Sequence, residues 1–108
     1  MTDYERIFDS ESEHWHNDNQ FNLLFLRTQQ NYWNDVLQSR GHVFLNEVLG
    51  ALGFPHTPVG AVVGWTLSGA GDGGIEFNAE EFPSTSRVKL DFNVDGFILD
   101  KLGTKAVR

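Results

Sequence analysis

The sequence predicts an α+β fold, two to three N-terminal helices packed on a C-terminal antiparallel sheet of about four strands, and three observations carry that reading. Over residues 21–40 the apolar side chains Phe25, Leu26, Tyr32, Trp33, Val36 and Leu37 recur at helical spacing, with Arg27, Gln29, Gln30, Asn34, Asp35 and Gln38 between them, the pattern of an amphipathic helix. Past residue 60 the period becomes two. Ala61, Val63, Trp65 and Leu67 alternate with smaller or polar neighbours, and Val88, Leu90, Phe92 and Val94 alternate with Arg87, Lys89, Asp91, Asn93 and Asp95, as half-buried strands do. Between the two regimes lie Gly53, Pro55 and Pro58, residues that stop a helix and stiffen the chain beyond it.

In chain order, residues 1–18 hold Asp3, Glu5, Asp9, Glu11, Glu13 and Asp18 against the single base Arg6. This segment therefore carries −5 of the formal charge of −7. Thr2 and Glu5 have capping-box spacing, yet so short a helix is marginal alone, so residues 1–19 are expected to be a short helix or a loosely tethered acidic arm. Residues 20–102 then form one α+β domain, and residues 103–108 a frayed tail. The long helix is expected to begin between Gln20 and Leu26, because residues 23–26 are a continuous apolar run that also fits a short strand. It ends at Arg40 and Gly41. Val43, Phe44 and Leu45 link it to a second helix starting near Asn46, whose side chain suits an N-cap with Glu47 behind it, and stopping at Gly53. Residues 54–60 read as a stiff elbow. Gly64, inside the next strand, leaves room for a bulky neighbour such as an aromatic ring.

Residues 68–74, with four glycines, read as a mobile loop. They lack the Lys of a phosphate cradle, and Asp72 opposes phosphate. Ile75, Phe77 and Ala79 alternate as a strand with one wet face, and residues 80–86 connect to the strong strand at 87–95. Asp95-Gly96 signals a hairpin turn, with Phe97 to Leu102 returning. That register sets Val94 against Phe97, Phe92 against Leu99, and Asp91 against Asp100, the last an unfavourable like-charge pair; a three-residue turn with a glycine bulge is the alternative. Trp65, Phe77 and Phe92 should form the greasy side of the sheet, roofed by the long helix through Trp33 and its neighbours; Tyr32 and Trp33 also fit an aromatic recognition stripe, with core packing the expected fate of both.

At 108 residues the chain fits one domain with one core. A net charge of −7 opposes direct binding to nucleic-acid backbones and anionic lipid surfaces. There is no cysteine, hence no disulfide, thiolate nucleophile or Cys-based zinc site. No apolar run is long enough to cross a bilayer, and the start shows no signal-peptide pattern, so a cytoplasmic setting is expected.

No triad or acid–base pair is visible, so no residue is assigned a catalytic role. Two acidic constellations are candidates for binding. The first is Asp3, Glu5, Asp9, Glu11 and Glu13, whose charge suits a basic protein surface. The second is Asp91, Asn93, Asp95 and Asp100. Residues 91–98, DFNVDGFI, match the opening of a calcium loop, but its twelfth position is Leu102 where a bidentate Glu is needed; calcium is the only cofactor this alternative implies. His14 and His16 flank Trp15 beside Glu13 and Asp18, a thin transition-metal pattern.

The combination of residues 40–65, RGHVFLNEVLGALGFPHTPVGAVVGW, with residues 90–102, LDFNVDGFILDKL, resembles a family of small, acidic, uncharacterised proteins of Gram-positive bacteria, their phages and other mobile elements. Its members share an FLNEV helix opening, an LG-x-P-x-T-x-x-G elbow, a VGW strand and an LDFN-x-DG-x-I segment. The resemblance covers residues 24–102 and leaves the acidic arm outside. It implies a shared fold and a phage or mobile-element setting, has no established activity behind it, and transfers no catalytic residues. The expected function is a non-enzymatic domain that binds a protein partner or itself; the alternative is a divalent-cation or ligand site at the second constellation.

Overall fold

The computed structural model describes residues 4–67, 74–82 and 87–99. The long helix, α1, spans Asn19–Arg40; the Asp18 carboxylate accepts the Gln20 N–H, and Gly41, at φ 95°, closes the other end with its N–H on the Leu37 carbonyl. The apolar run at 23–26 is therefore helical. Asn22, Leu26 and Leu37 are its buried side chains. The second helix, α2 (Leu45–Leu52), ends at Gly53 with φ 91°, as expected of a left-handed stop. It begins earlier than expected, with Phe44 in place of Asn46 as cap. Asn46 is not the cap: its amide reaches across the elbow, donating to the Thr57 carbonyl and accepting the Thr57 N–H, both at 2.9 Å. Glu47 Oε2 instead accepts the Phe44 N–H at 2.9 Å. A 3-10 turn at Val59–Ala61 completes the elbow.

Among the described residues six short strands make two antiparallel sheets: β1 (Glu5–Phe8), β2 (His42–Phe44), β3 (Val63–Thr66), β4 (Glu80–Phe82), β5 (Arg87–Asp91) and β6 (Gly96–Phe97), in the orders β1-β5-β4 and β2-β3-β6. The region expected to be an acidic helix or arm is thus partly a strand. Phe8 explains why: it is fully buried, stacked on Phe25 at 5.8 Å and close to Trp15 and Phe54, so its burial ties the segment to the core. Val43, expected in a plain link, pairs with Trp65 across β2 and β3.

The predicted hairpin at Asp95-Gly96 does not form. Residues 87–98 run as one spine from the first sheet into the second, with strand assigned at β5 and β6 and not at the residues 92–95 between them. Along it Phe92 N–H donates to the Tyr4 carbonyl, Asn93 N–H to Glu76, Asp95 N–H to Gly64 and Ile98 N–H to Val62. Gly96 therefore opposes Gly64 and Phe97 opposes Val63, replacing the expected pairs of Val94 with Phe97 and Phe92 with Leu99. The bulged-turn alternative is replaced in the same way. The cause is the Asp95 carboxylate, which accepts the Thr66 N–H at 2.9 Å and pins the chain to β3 where a reversal would have started. Asp91 faces Glu5 on β1; Asp100, its expected opposite, lies outside the described residues, as do the glycine loop at 68–73 and the tail. Gly64 does not make space for a ring. A Cβ there would collide with the Val43 carbonyl, so the close neighbour is backbone.

The strand expected at 75–79 is assigned only from Glu80 to Phe82. Asn78, at φ 49°, breaks the regular ladder, though Ile75 and Phe77 still point into the core. That core joins Phe8, Leu26, Leu37, Val48, Leu49, Trp65, Phe77, Val88, Leu90 and Phe92, with Trp33 packed at its margin. The Phe77 and Phe92 rings meet edge to face at 5.3 Å. Tyr32, expected beside Trp33 in the roof, is instead 55% exposed.

Candidate interaction surface

Of the first acidic constellation, Glu5, Asp9, Glu11 and Glu13 lie among the described residues. Asp3 lies outside the described residues. Glu5, on β1, sits 3.2 Å from Lys89 Nζ on β5. That hydrogen bond and the Glu5 charge raise the Lys89 pKa above its ordinary 10.5, with Glu80 and Asp91 adding to the rise and desolvation opposing it. Asp9 opens a tight turn: its carbonyl accepts the Ser12 N–H at 2.8 Å, and its carboxylate accepts the Glu11 N–H at 3.0 Å. Glu11 and Glu13 are exposed on this turn. Asp9, Glu11 and Glu13 are thus grouped, while Glu5 stands apart in the sheet. Asn22, fully buried, locks the following stretch to α1 through two bonds with the His16 backbone, at 2.8 and 2.9 Å. His14 packs on Phe25 and His16 on Phe21. Among the described residues no group of three or more His, Cys, Asp or Glu is arranged to hold a metal.

In the second constellation the Asn93 amide oxygen and one Asp95 carboxylate oxygen are occupied by N–H groups. Asn93 Oδ1 accepts from Trp65 Nε1 at 2.9 Å and from the Glu76 N–H at 2.7 Å, and its Nδ2 donates to the Gly74 carbonyl at 3.1 Å. Asp95 Oδ2 holds the Thr66 N–H, and the Asp91 carbonyl accepts from Asn78 Nδ2. Asp100 lies outside the described residues. The residues that suggested a calcium loop join the spine to β3 and to residues 74–76. The elbow motif is similar scaffolding: Thr57 Oγ1 accepts the Gly60 N–H at 2.9 Å, and Gly60 has no Cβ because Asn46 Oδ1 fills that space.

The outward face of α1 is built differently. Its core side is set by Asn22, Leu26, Trp33 and Leu37, and the opposite side carries Leu24, 61% exposed, flanked by Phe21 and Tyr32. Thr28, Asn31 and Asp35 continue that exposed line. Arg27 and Asp35 make no ion pair among the described residues. Beside this face two adjoining hollows of ≈ 240 and ≈ 270 Å³ share Leu23 and Arg27, and the second is walled by Phe77 and Ala79. Sequence reasoning weighs Tyr32 and Trp33 as an aromatic recognition stripe but expects both in the core, and it does not single out Leu24 as exposed. The signal was present, since Leu24 and Tyr32 fall on the side of the helical wheel away from Leu26 and Leu37.

The architecture is that of a small α+β domain in which amide side chains and close glycine contacts, rather than long ladders, join short strands. The chain matches a family of unknown function, DUF6353, over residues 1–102, and belongs to it. The family match takes in the acidic N-terminal segment as well. No curated protein and no solved structure matches the chain.

Proposed function

We propose that this is a non-enzymatic protein-interaction domain that engages its partner through the outward face of α1. The observation that carries the reading is the exposure of Leu24, Phe21 and Tyr32 together on a helix whose other side is core. Large apolar side chains grouped at a surface mark docking sites more often than lone ones do. The acidic turn at Asp9, Glu11 and Glu13 supplies charge that steers a basic partner toward the domain; a protein that itself binds nucleic acid is one such partner. A cytoplasmic setting and a phage or mobile-element origin belong to the same proposal.

The test compares wild type with Leu24→Glu and Tyr32→Glu as immobilised bait, with sedimentation of each alone. A ligand, or a second copy, held by wild type and lost by both variants at unchanged melting temperature supports the reading. A lone monomer with identical capture by all three baits removes it.

A further inference from the structure

Resting on that reading of α1, we propose that the occupant of this face is a second copy of the chain, docked antiparallel about a two-fold axis at Asn31. The chain as a whole carries −7 and repels its copies, but residues 19–40 hold two bases, Arg27 and Arg40, against one acid, Asp35. This helix is therefore a surface on which two copies approach without like-charge repulsion. Arg40 is already engaged with Glu47 at 2.6 Å. Arg27 and Asp35 are left, one of each sign, both without an ion-pair partner among the described residues.

Their spacing makes the face complementary to itself. A two-fold axis produces an isologous contact, in which each residue meets the same partner in both directions. With the axis at Asn31, Arg27 lies opposite Asp35 of the partner subunit and Asp35 opposite Arg27, so the same ion pair forms twice and each of the four charges has one partner. Leu24, Thr28, Asn31 and Asp35 recur at alternating spacings of four and three along the exposed line, the seam spacing of paired helices. Tyr32 lies just beside the axis, so the two exposed rings come together there. The helix, of 22 residues, is about 33 Å long at 1.5 Å per residue, enough for the whole seam.

Two measurements test this on the full chain. Because the chain has no cysteine, Asn31→Cys provides a single thiol on the proposed axis; mild oxidation should give a disulfide-linked dimer, while Gln38→Cys, exposed on the same helix, should stay largely monomeric. Sedimentation equilibrium then reads the charges: Arg27→Asp and Asp35→Arg should each weaken dimerisation by about 2- to 30-fold, from two lost surface pairs, and the double variant should recover it. Wild type that remains monomeric at about 1 mM, a concentration that detects all but the weakest pairing, overturns the proposal, as does a dimer indifferent to both charge reversals or equal cross-linking at positions 31 and 38. If wild type is monomeric yet a different protein is still lost on Leu24→Glu, self-docking fails while the α1 interaction face stands.

Discussion

Gly64 shows how little tolerance some single positions have. It sits between β2 and β6, paired with Phe44 on one side and Gly96 on the other, and any Cβ would press on the Val43 carbonyl. Backbone cannot give way as a flexible side chain can, so Gly64→Ala should destabilise by at least about 2 kcal/mol, read as a lower urea midpoint at unchanged slope. Its neighbour Thr66 points the other way. Its hydroxyl is buried without a hydrogen-bond partner among the described residues, and a buried unmet donor costs about 1–3 kcal/mol. Thr66→Val keeps the shape and suits a strand, and should raise stability by about 1 kcal/mol in the same measurement. At this scale the sequence misleads most over asparagines. Asn46 fits a cap and Asn93 fits a cation ligand equally well by residue type, because a short amide offers the same donor and acceptor to a helix end, an ion or a distant peptide. Only the fold decides among them, and Asn22, Asn34, Asn46 and Asn93 each bond to remote backbone in two or more ways.

Among the elements, the two helices were legible because a period of 3.6 and a glycine stop are local signals; α1 and α2 end at the glycines expected of them. The strands at 63–66 and 87–91 were legible from alternation for the same reason. The hairpin was not, because Asp-Gly favours a reversal only if nothing else claims the Asp side chain, and here β3 does. Nor was β1, since four residues amid acidic neighbours carry too little pattern, and Phe8 declares itself only through its partners. Phe8→Ala should therefore cost about 3–5 kcal/mol, whereas a loosely tethered arm would lose nothing; thermal melting of the variant separates the two. Asn46→Ala, which leaves the Thr57 N–H and carbonyl unbonded by the amide, should destabilise by about 1–3 kcal/mol and raise amide exchange along residues 54–60 before the rest of the domain.

For the molecule as a whole, the mixed α+β class follows from the switch in hydrophobic period, but β1 ahead of the helices, β2 between them and the division into two sheets do not, since pairing partners far apart leave no local trace. One electrostatic consequence reaches across the first sheet. Lys89 has a raised pKa in the fold, so its link to Glu5 is fully present below 10.5 and is lost as pH climbs through the higher folded value. Stability should fall on the alkaline side of 10.5, and Lys89→Met should flatten that fall; equal alkaline slopes for the two proteins would count against it. The candidate interaction face was only partly visible, because residue type says what a helix position prefers but not how much of the helix the neighbouring layers cover. The continuous run at 87–98 has a further result for how the protein is made. Glu5 pairs with Asp91 and Gly64 with Gly96, so the earliest strand waits for one of the latest to leave the ribosome. Closing so long a loop is slow, and until it closes Phe8 and Trp65 lack their cover, which makes the nascent chain a natural client for chaperones that shield greasy segments.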